Sequence, residues 1–377
     1  MKSIKRLKPL IKLELKPVLG VGIYLMLVNI FGFITLSKEM NEVWKNYLVG
    51  GIGEFVNRVD RIDLIRNIFN NEITTLLIFY LIGMLFLSIL SVRYDKSIET
   101  SRFLKSLPYT SGERSLVKVG LGTLSFTICF GFYSLIVMVM RSSYAAKLQE
   151  IYDVLPFGQI QDQFMSATDL ARRLLVVYLT ILAVYLFFIL VQYIVSHKLG
   201  STLIAICILA SPIFLLGSIC YCFPQFDIRI FDRAIGWLYV SVVRGPTGRR
   251  MAIQEGGNNY SLYFYAEDIE IYQIAFYLIA IALMILAIWK LSRCQLLEQA
   301  DKLIPVKELR WVFIAGVTLC GSFLLCDLYL LLVEWRSPNS ISGDRWFALT
   351  IGAVISFIIS KNIASIGQVK RKEVKSI

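Results

Sequence analysis

The sequence predicts an all-α fold, a polytopic transmembrane helix bundle of about eight spans, and two observations carry this prediction. Residues of the set AVILMFWYC occupy 56% of the 377 positions, which is more apolar surface than a soluble protein can keep away from water. Charged residues make up only 18% of the chain, and they cluster between long apolar stretches. A helix needs about 20 apolar residues to cross a ~30 Å hydrocarbon core, and eight stretches approach that length.

The eight predicted spans follow one another along the whole chain. They are Val18–Leu36, Ile73–Val92, Leu116–Met140, Leu174–Val195, Thr202–Phe223, Gln273–Trp289, Trp311–Val333 and Trp346–Ser360. The fifth contains Pro212, and neighbouring helices can satisfy the carbonyl that a proline frees within a span. No segment between spans separates two independent cores, so residues 1–377 are expected to form one transmembrane domain.

The distribution of basic residues predicts the orientation of these spans. If the N-terminus is cytoplasmic, segments 1–17, 93–118, 196–201, 290–310 and 361–377 are internal, and they hold 23 Lys and Arg against 8 Asp and Glu. The outer segments hold 16 basic and 18 acidic residues. Basic residues favour the cytoplasmic side, so a multi-pass plasma-membrane protein with both termini in the cytoplasm is expected. The net charge of +12 is then a topology signal and gives no support to a nucleic-acid partner.

Several segments outside the bilayer carry patterns of their own. Residues 1–17 place Ile4, Leu7, Ile11 and Leu15 on one helical face and lysines on the other, which predicts an interfacial helix on the cytoplasmic leaflet. Pro17 is expected to bend the chain into the first span. The outer segments 37–72, 141–173 and 224–270 are long, and the first again has a helical apolar stripe.

Residues 93–115 form the most informative internal segment. Asp95 or Ser97 is expected to cap a short helix over residues 96–106, and Pro108 ends it. Thr110 or Ser111 is then expected to cap the next helix, with Glu113 in its first turn. This succession of helix-capping and helix-ending residues favours a docking element beneath the bundle over a plain solvated connector.

This internal segment resembles the cytoplasmic loop of type-2 ABC exporter permeases. In that family an acidic residue and a Thr or Ser precede a helix that ends in Leu-x-Ser-Leu-Pro, followed by a small polar cap and a basic residue that opens the next span. The matching residues here are Asp95, Lys96, Glu99, Thr100, Leu104, Ser106, Leu107, Pro108, Ser111, Arg114 and Lys118. Two features depart from the family: Glu99 stands where a glycine is usual, and eight spans are predicted against the usual six.

The resemblance implies a permease subunit of an ATP-driven exporter that moves a peptide, antimicrobial or lipid-like substrate. Segment 1–17 would be the family's elbow helix, and a second permease chain and separate ABC ATPase subunits would be the partners. The coupling residues would be Asp95, Lys96, Glu99, Thr100, Phe103, Leu104, Leu107 and Pro108. This chain has no G-x-x-x-x-G-K-[ST] sequence, so no cofactor is expected in it, and ATP and Mg²⁺ would be bound by the partner ATPase.

Three other functions compete with the permease. An intramembrane enzyme is disfavoured because the only histidine is His197, in a short internal loop, and no carboxylates pair within a span. An ion-coupled secondary transporter needs a buried ionisable group, and Asp327 in the seventh span is the candidate. It is expected to pair with Arg336 or Arg345 or to bind a cationic substrate. A resistance or sensor subunit is the third alternative.

The seven cysteines show neither a disulfide framework nor a metal-binding spacing. Cys220 and Cys222 flank one residue, and ordinary packing is favoured there over a redox pair.

Overall fold

The computed structural model describes residues 2–56, 62–92, 108–153, 167–195, 198–223, 271–294, 307–334 and 344–365. These residues form eight helices, and no strand occurs among them. The helices are α1 (Lys2–Val56), α2 (Ile62–Val92), α3 (Ser111–Asp153), α4 (Ala167–Ile194), α5 (Lys198–Cys222), α6 (Ile271–Cys294), α7 (Lys307–Glu334) and α8 (Asp344–Ser365). The predicted all-helical class is confirmed.

Seven of these helices are long and apolar enough to cross a membrane. Their apolar segments are Leu7–Glu42, Thr75–Val92, Ser111–Lys147, Leu170–Ile194, Ile274–Arg293, Arg310–Val333 and Arg345–Ser365. Each overlaps one predicted span, and the first and third extend well beyond it. The fifth predicted span lies in α5, where the apolar segment is the shorter Gly200–Pro212. The eighth crossing therefore stays a prediction.

Helix α1 is much longer than the span predicted within it. It runs without a break for 55 residues and includes Pro9 and Pro17, so its length is about 80 Å at 1.5 Å per residue. The predicted boundary at Pro17 does not coincide with a break in secondary structure, because a proline removes one helical hydrogen bond and need not end the helix. Leu13 and Leu15 are 49% and 36% exposed, which leaves them available to lipid.

Helices α1 and α3 continue together into the segments predicted to be outer loops. The Tyr144 hydroxyl donates a hydrogen bond to Asn41 Oδ1 at 2.6 Å, and Lys147 Nζ lies 5.3 Å from the centre of the Trp44 ring. Parts of outer segments 37–72 and 141–173 are therefore helical. Hydropathy indicates where a helix leaves the apolar core, and it does not indicate where the helix ends. Residues 224–270 lie outside the described residues.

The chain divides into two compact units. The first comprises Met1–Leu87, Arg114–Leu186 and Tyr239–Leu286, and the second comprises Ser88–Glu113, Phe187–Leu238 and Ala287–Ile377. In the first unit α1 and α2 run antiparallel, since Tyr24 donates to the carbonyl of Phe79 and Thr35 donates to Glu72. Large apolar side chains on the outward faces, such as Ile23 at 63% exposure and Leu135 at 60%, suit contact with lipid.

Small residues bring α7 and α8 close together in the second unit. A Cβ placed on Gly352 would lie 2.9 Å from the carbonyl oxygen of Ser322 and 3.2 Å from Leu325 Cβ. Thr318 and Ser360 join the same two helices by a hydrogen bond of 3.1 Å. Close approach through small residues is the usual means by which helices associate where lipid removes the hydrophobic driving force.

Replacing Gly352 by Ala is expected to destabilise this helix pair, because the added methyl group meets backbone atoms that cannot turn away. The expected loss is about 1–3 kcal/mol in the free energy of unfolding in detergent. Gly316→Ala on α7 is the matched control, since nothing lies within 4 Å of its added Cβ. Equal stability of the two variants would contradict the close contact between α7 and α8.

Candidate functional site

The predicted ATPase-coupling residues fall mostly on a part of the chain that is not described. Asp95, Lys96, Glu99, Thr100, Phe103, Leu104 and Leu107 lie outside the described residues. Of the predicted set only Pro108 is described, and it is exposed and precedes the first residue of α3 by three positions. The coupling assignment therefore stays a prediction.

The exit from this segment has the capping geometry that the sequence predicts. The backbone N–H of Glu113 donates to Thr110 Oγ1 at 3.2 Å, and the backbone N–H of Thr110 donates to Glu113 Oε2 at 2.8 Å. These reciprocal bonds form a capping box, which satisfies donors that the first turn of a helix otherwise leaves free. Thr110 is the cap of α3, and the chain has a fixed entry into that helix.

Gly112, in the first turn of α3 and itself part of the second unit, contacts the end of α6 within that same unit. A Cβ on Gly112 would lie 3.3 Å from Arg293 Nε and 3.4 Å from Trp289 Nε1. The Arg293 guanidinium in turn lies 3.6 Å from the centre of the Trp289 ring, a distance typical of cation–π stacking. A glycine at 112 lets this stacked pair approach the start of α3.

A buried ion pair joins α1 to α3 in the first unit. Lys118 Nζ lies 3.5 Å from Glu14 Oε1, and the two side chains are only 2% and 5% exposed. Arg114, one helical turn before Lys118, is also buried, and its Nε has no hydrogen-bond partner among the described residues. A buried pair of this kind is costly to break on one side only, because the remaining charge is left without compensation.

Replacing Lys118 by Met is expected to lower the free energy of unfolding by about 3–5 kcal/mol, since it removes the positive charge that pairs with the buried Glu14 carboxylate. Adding Glu14→Met is expected to restore part of that loss, because the double variant buries neither charge. A double-mutant cycle in detergent measures the coupling.

The exposed pair Lys38–Glu42, with 75% and 60% side-chain exposure at 3.8 Å, provides the control. Lys38→Met is expected to cost less than about 1 kcal/mol. A Lys118→Met variant as stable as Lys38→Met would contradict a structural role for the buried pair.

A hydrogen-bonded polar network lies inside the first unit, within the predicted spans. The Tyr80 hydroxyl donates to Asn29 Oδ1 at 2.7 Å, and Asn29 Nδ2 donates to the carbonyl of Cys129 at 2.9 Å. Asn29 is fully buried. These two bonds connect α1, α2 and α3, and they satisfy groups that would be costly to leave unpaired away from water.

Aromatic rings surround this network. The Tyr80 ring makes edge contacts with Phe126 and Phe130, with ring centres 5.9 Å and 5.7 Å apart. The ring of Phe126 stacks on Tyr178 at 5.2 Å. Tyr133 also contacts Tyr80, and its buried hydroxyl has no hydrogen-bond partner among the described residues. We call Tyr80, Phe126, Phe130, Tyr133 and Tyr178 the aromatic cluster.

Glu72 lies just before the second apolar segment, close to α1. It is 6% exposed, and its Oε2 accepts a hydrogen bond from the Thr35 hydroxyl at 2.9 Å. A Cβ on Gly32 would lie 2.8 Å from Glu72 Oε1. The glycine therefore gives the carboxyl group the room it occupies against α1.

Asp327 is held by hydrogen bonds from α5. The Ser218 hydroxyl donates to one carboxylate oxygen, and the Cys222 thiol donates to the other at 3.4 Å. Arg345 does not form an ion pair with Asp327; its guanidinium donates to the backbone carbonyl of Cys222 at 2.9 Å. Arg336, the other predicted partner, lies outside the described residues.

The sulfurs of Cys222 and Cys326 lie 3.4 Å apart in a small buried cluster. The ordinary packing expected for Cys220 stays a prediction, because its side chain lies outside the described residues. Among the described residues, no group of three or more His, Cys, Asp or Glu side chains is arranged to hold a metal ion.

Sequence reasoning missed Glu14, Asn29 and Glu72 as candidate site residues. Asn29 carried a usable signal, because an amide within an apolar span needs a partner on another helix. Glu14 and Glu72 sit at the margins of apolar stretches, where a carboxylate is usually solvated. Only the packing of α1 against α2 and α3 reveals that these two are buried.

Comparisons with known proteins give this chain no relative. No protein-family model matches it, and neither the curated proteins nor the solved structures contain a match. Function is therefore inferred from the residues themselves and from the resemblance of residues 93–118.

Proposed function

We propose that this chain is the transmembrane permease subunit of an ATP-driven exporter, which takes its energy from separate ATPase subunits. The observation that carries the proposal is the capping box of Thr110 and Glu113. The capping box fixes the point at which α3 begins after the internal segment 93–107. A segment that transmits force into a membrane helix needs such a fixed connection.

Two further contacts support a mechanical role for the start of α3. The buried Glu14–Lys118 pair joins α3 to α1 about two helical turns after the cap. On the same helix start, Gly112 lies against the Arg293–Trp289 stack. A displacement of the internal segment would therefore be passed to α3 and would not be absorbed by a loose connector.

The membrane topology of the proposed permease has eight crossings and both termini in the cytoplasm. Helix α5 has 25 residues, which is about 37 Å and longer than the hydrocarbon core. The start of α1 acts as the elbow helix at the cytoplasmic surface. Two such chains and two ATPase subunits form the transporter, and a peptide, antimicrobial or lipid-like compound is the substrate.

The internal helix is expected to dock on the ATPase through its apolar face. Replacing Phe103, Leu104 and Leu107 together by Ala removes that face while leaving the membrane helices unchanged. Purification of the tagged chain from native membranes is expected to recover an ATPase with the unaltered protein. With the triple variant, both the co-purified ATPase and its ATP hydrolysis are expected to fall at least about tenfold, a loss of about 1.4 kcal/mol in docking.

A triple Ala variant at Leu27, Leu124 and Leu135 is the matched control. These leucines are 61%, 56% and 60% exposed on α1 and α3, they lie within predicted spans, and they are expected to leave ATPase recovery unchanged. Undiminished ATPase recovery in the Phe103, Leu104 and Leu107 variant would reject the docking assignment. Transport that persists without any associated ATPase would favour the ion-coupled carrier instead.

A further inference from the structure

The structure buries an acidic side chain in the first half of α2, where it has no positive partner among the described residues. Glu72 is 6% exposed, and no described Lys or Arg pairs with its carboxylate. The nearby lysine of α1, Lys38, pairs with Glu42 on the solvent-exposed side. An ionised carboxylate removed from water and left unpaired is strongly disfavoured, and such a group binds a proton instead.

Other polar groups face Glu72, and some of them favour the protonated form of its carboxyl group while others favour the ionised form. Glu39 on α1 repels the negative charge, and the Thr35 hydroxyl stabilises it by a hydrogen bond. From α3, Tyr133 interacts electrostatically with Glu72, and its buried hydroxyl has no hydrogen-bond partner among the described residues. On α2 itself, the Tyr80 hydroxyl is committed to Asn29.

Burial is the largest contribution to the proton affinity of Glu72. Removal from water, and then repulsion by Glu39, raise the pKa of its carboxyl group to about 7, while the Thr35 hydrogen bond lowers it. A group with this pKa exchanges its proton within the physiological pH range, whereas an ordinary glutamate is fully ionised there.

We propose that Glu72 is a proton-binding site, built by α1 and α2 at the outer end of the first unit, whose loading stabilises the contact between these helices. The protonated carboxyl is neutral and stays packed against Gly32 and Thr35. The ionised carboxylate draws water or separates the helices there, because it lies beside Glu39 and no described Lys or Arg pairs with it. This inference does not depend on the energy source of the transporter.

The sign of the pH effect follows from the raised pKa. The folded state holds the proton more tightly than the unfolded chain, so the stabilisation is complete below pH ~4.5 and is lost as the pH rises through about 7. The folding equilibrium constant is therefore expected to fall by roughly a hundredfold between pH 5 and pH 9. Glu72→Gln, which stays neutral at every pH, is expected to remove this dependence.

The test is thermal unfolding of the purified full chain in detergent between pH 5 and pH 9, together with infrared detection of a protonated carboxyl band. The midpoint of the pH effect is expected near 7 in the unaltered chain. Thr35→Val is expected to raise that midpoint, because it removes the bond to the ionised form. Glu39→Gln is expected to lower it, because it removes the repulsion.

These opposite shifts keep the test decisive even if Glu72→Gln folds poorly. A protonated carboxyl band at pH 6 that is absent from Glu72→Gln supports the assignment. A pH profile unchanged by Thr35→Val and Glu39→Gln, or a carboxyl band missing at pH 6 in the unaltered chain, would overturn it.

Discussion

The buried ion pair between Glu14 and Lys118 is the contact on which the proposed mechanism of this protein depends. It joins α1 and α3 close to the point where the internal segment enters the membrane helices. Two charges removed from water stabilise a structure only when they stay together, so this contact fixes the relative position of α1 and α3 at that level. In the proposed mechanism, force applied at Pro108 and Thr110 is passed to α1 through this contact.

The interior of the first unit is more polar than its apolar sequence suggests. Asn29, Tyr80 and the carbonyl of Cys129 form one connected set of hydrogen bonds. Elsewhere in the same unit, Glu72 accepts a hydrogen bond from Thr35. Such bonds are individually modest in a membrane, but they fix which faces of α1, α2 and α3 meet. The second unit uses another means, since Gly352 and Ser322 bring α7 and α8 into close backbone contact.

Hydropathy alone predicts the helical class and the position of seven crossing segments, because covering apolar surface with lipid leaves few alternatives. The capping box at Thr110 was also predictable, since Thr-x-x-Glu is a local signal. The length of α1 and the burial of Glu14 and Glu72 were not. Those depend on which helices become neighbours. The sequence does not reveal the neighbours, because apolar side chains that face lipid are of the same types as those that face protein. Leu186, which is buried, and Leu135, which is exposed on the outward face, illustrate this, since both are leucines within predicted spans.

The central claim is that residues 93–107 face the cytoplasm, where an ATPase subunit can reach them. It is tested most directly by labelling Ser106→Cys and Ser340→Cys variants in intact cells with a membrane-impermeant thiol reagent, with the signal of the unsubstituted chain subtracted. The proposed topology predicts that the Ser340→Cys variant is labelled in intact cells and the Ser106→Cys variant only after the membrane is permeabilised. Labelling of Ser106→Cys in intact cells would contradict both the orientation and the coupling role.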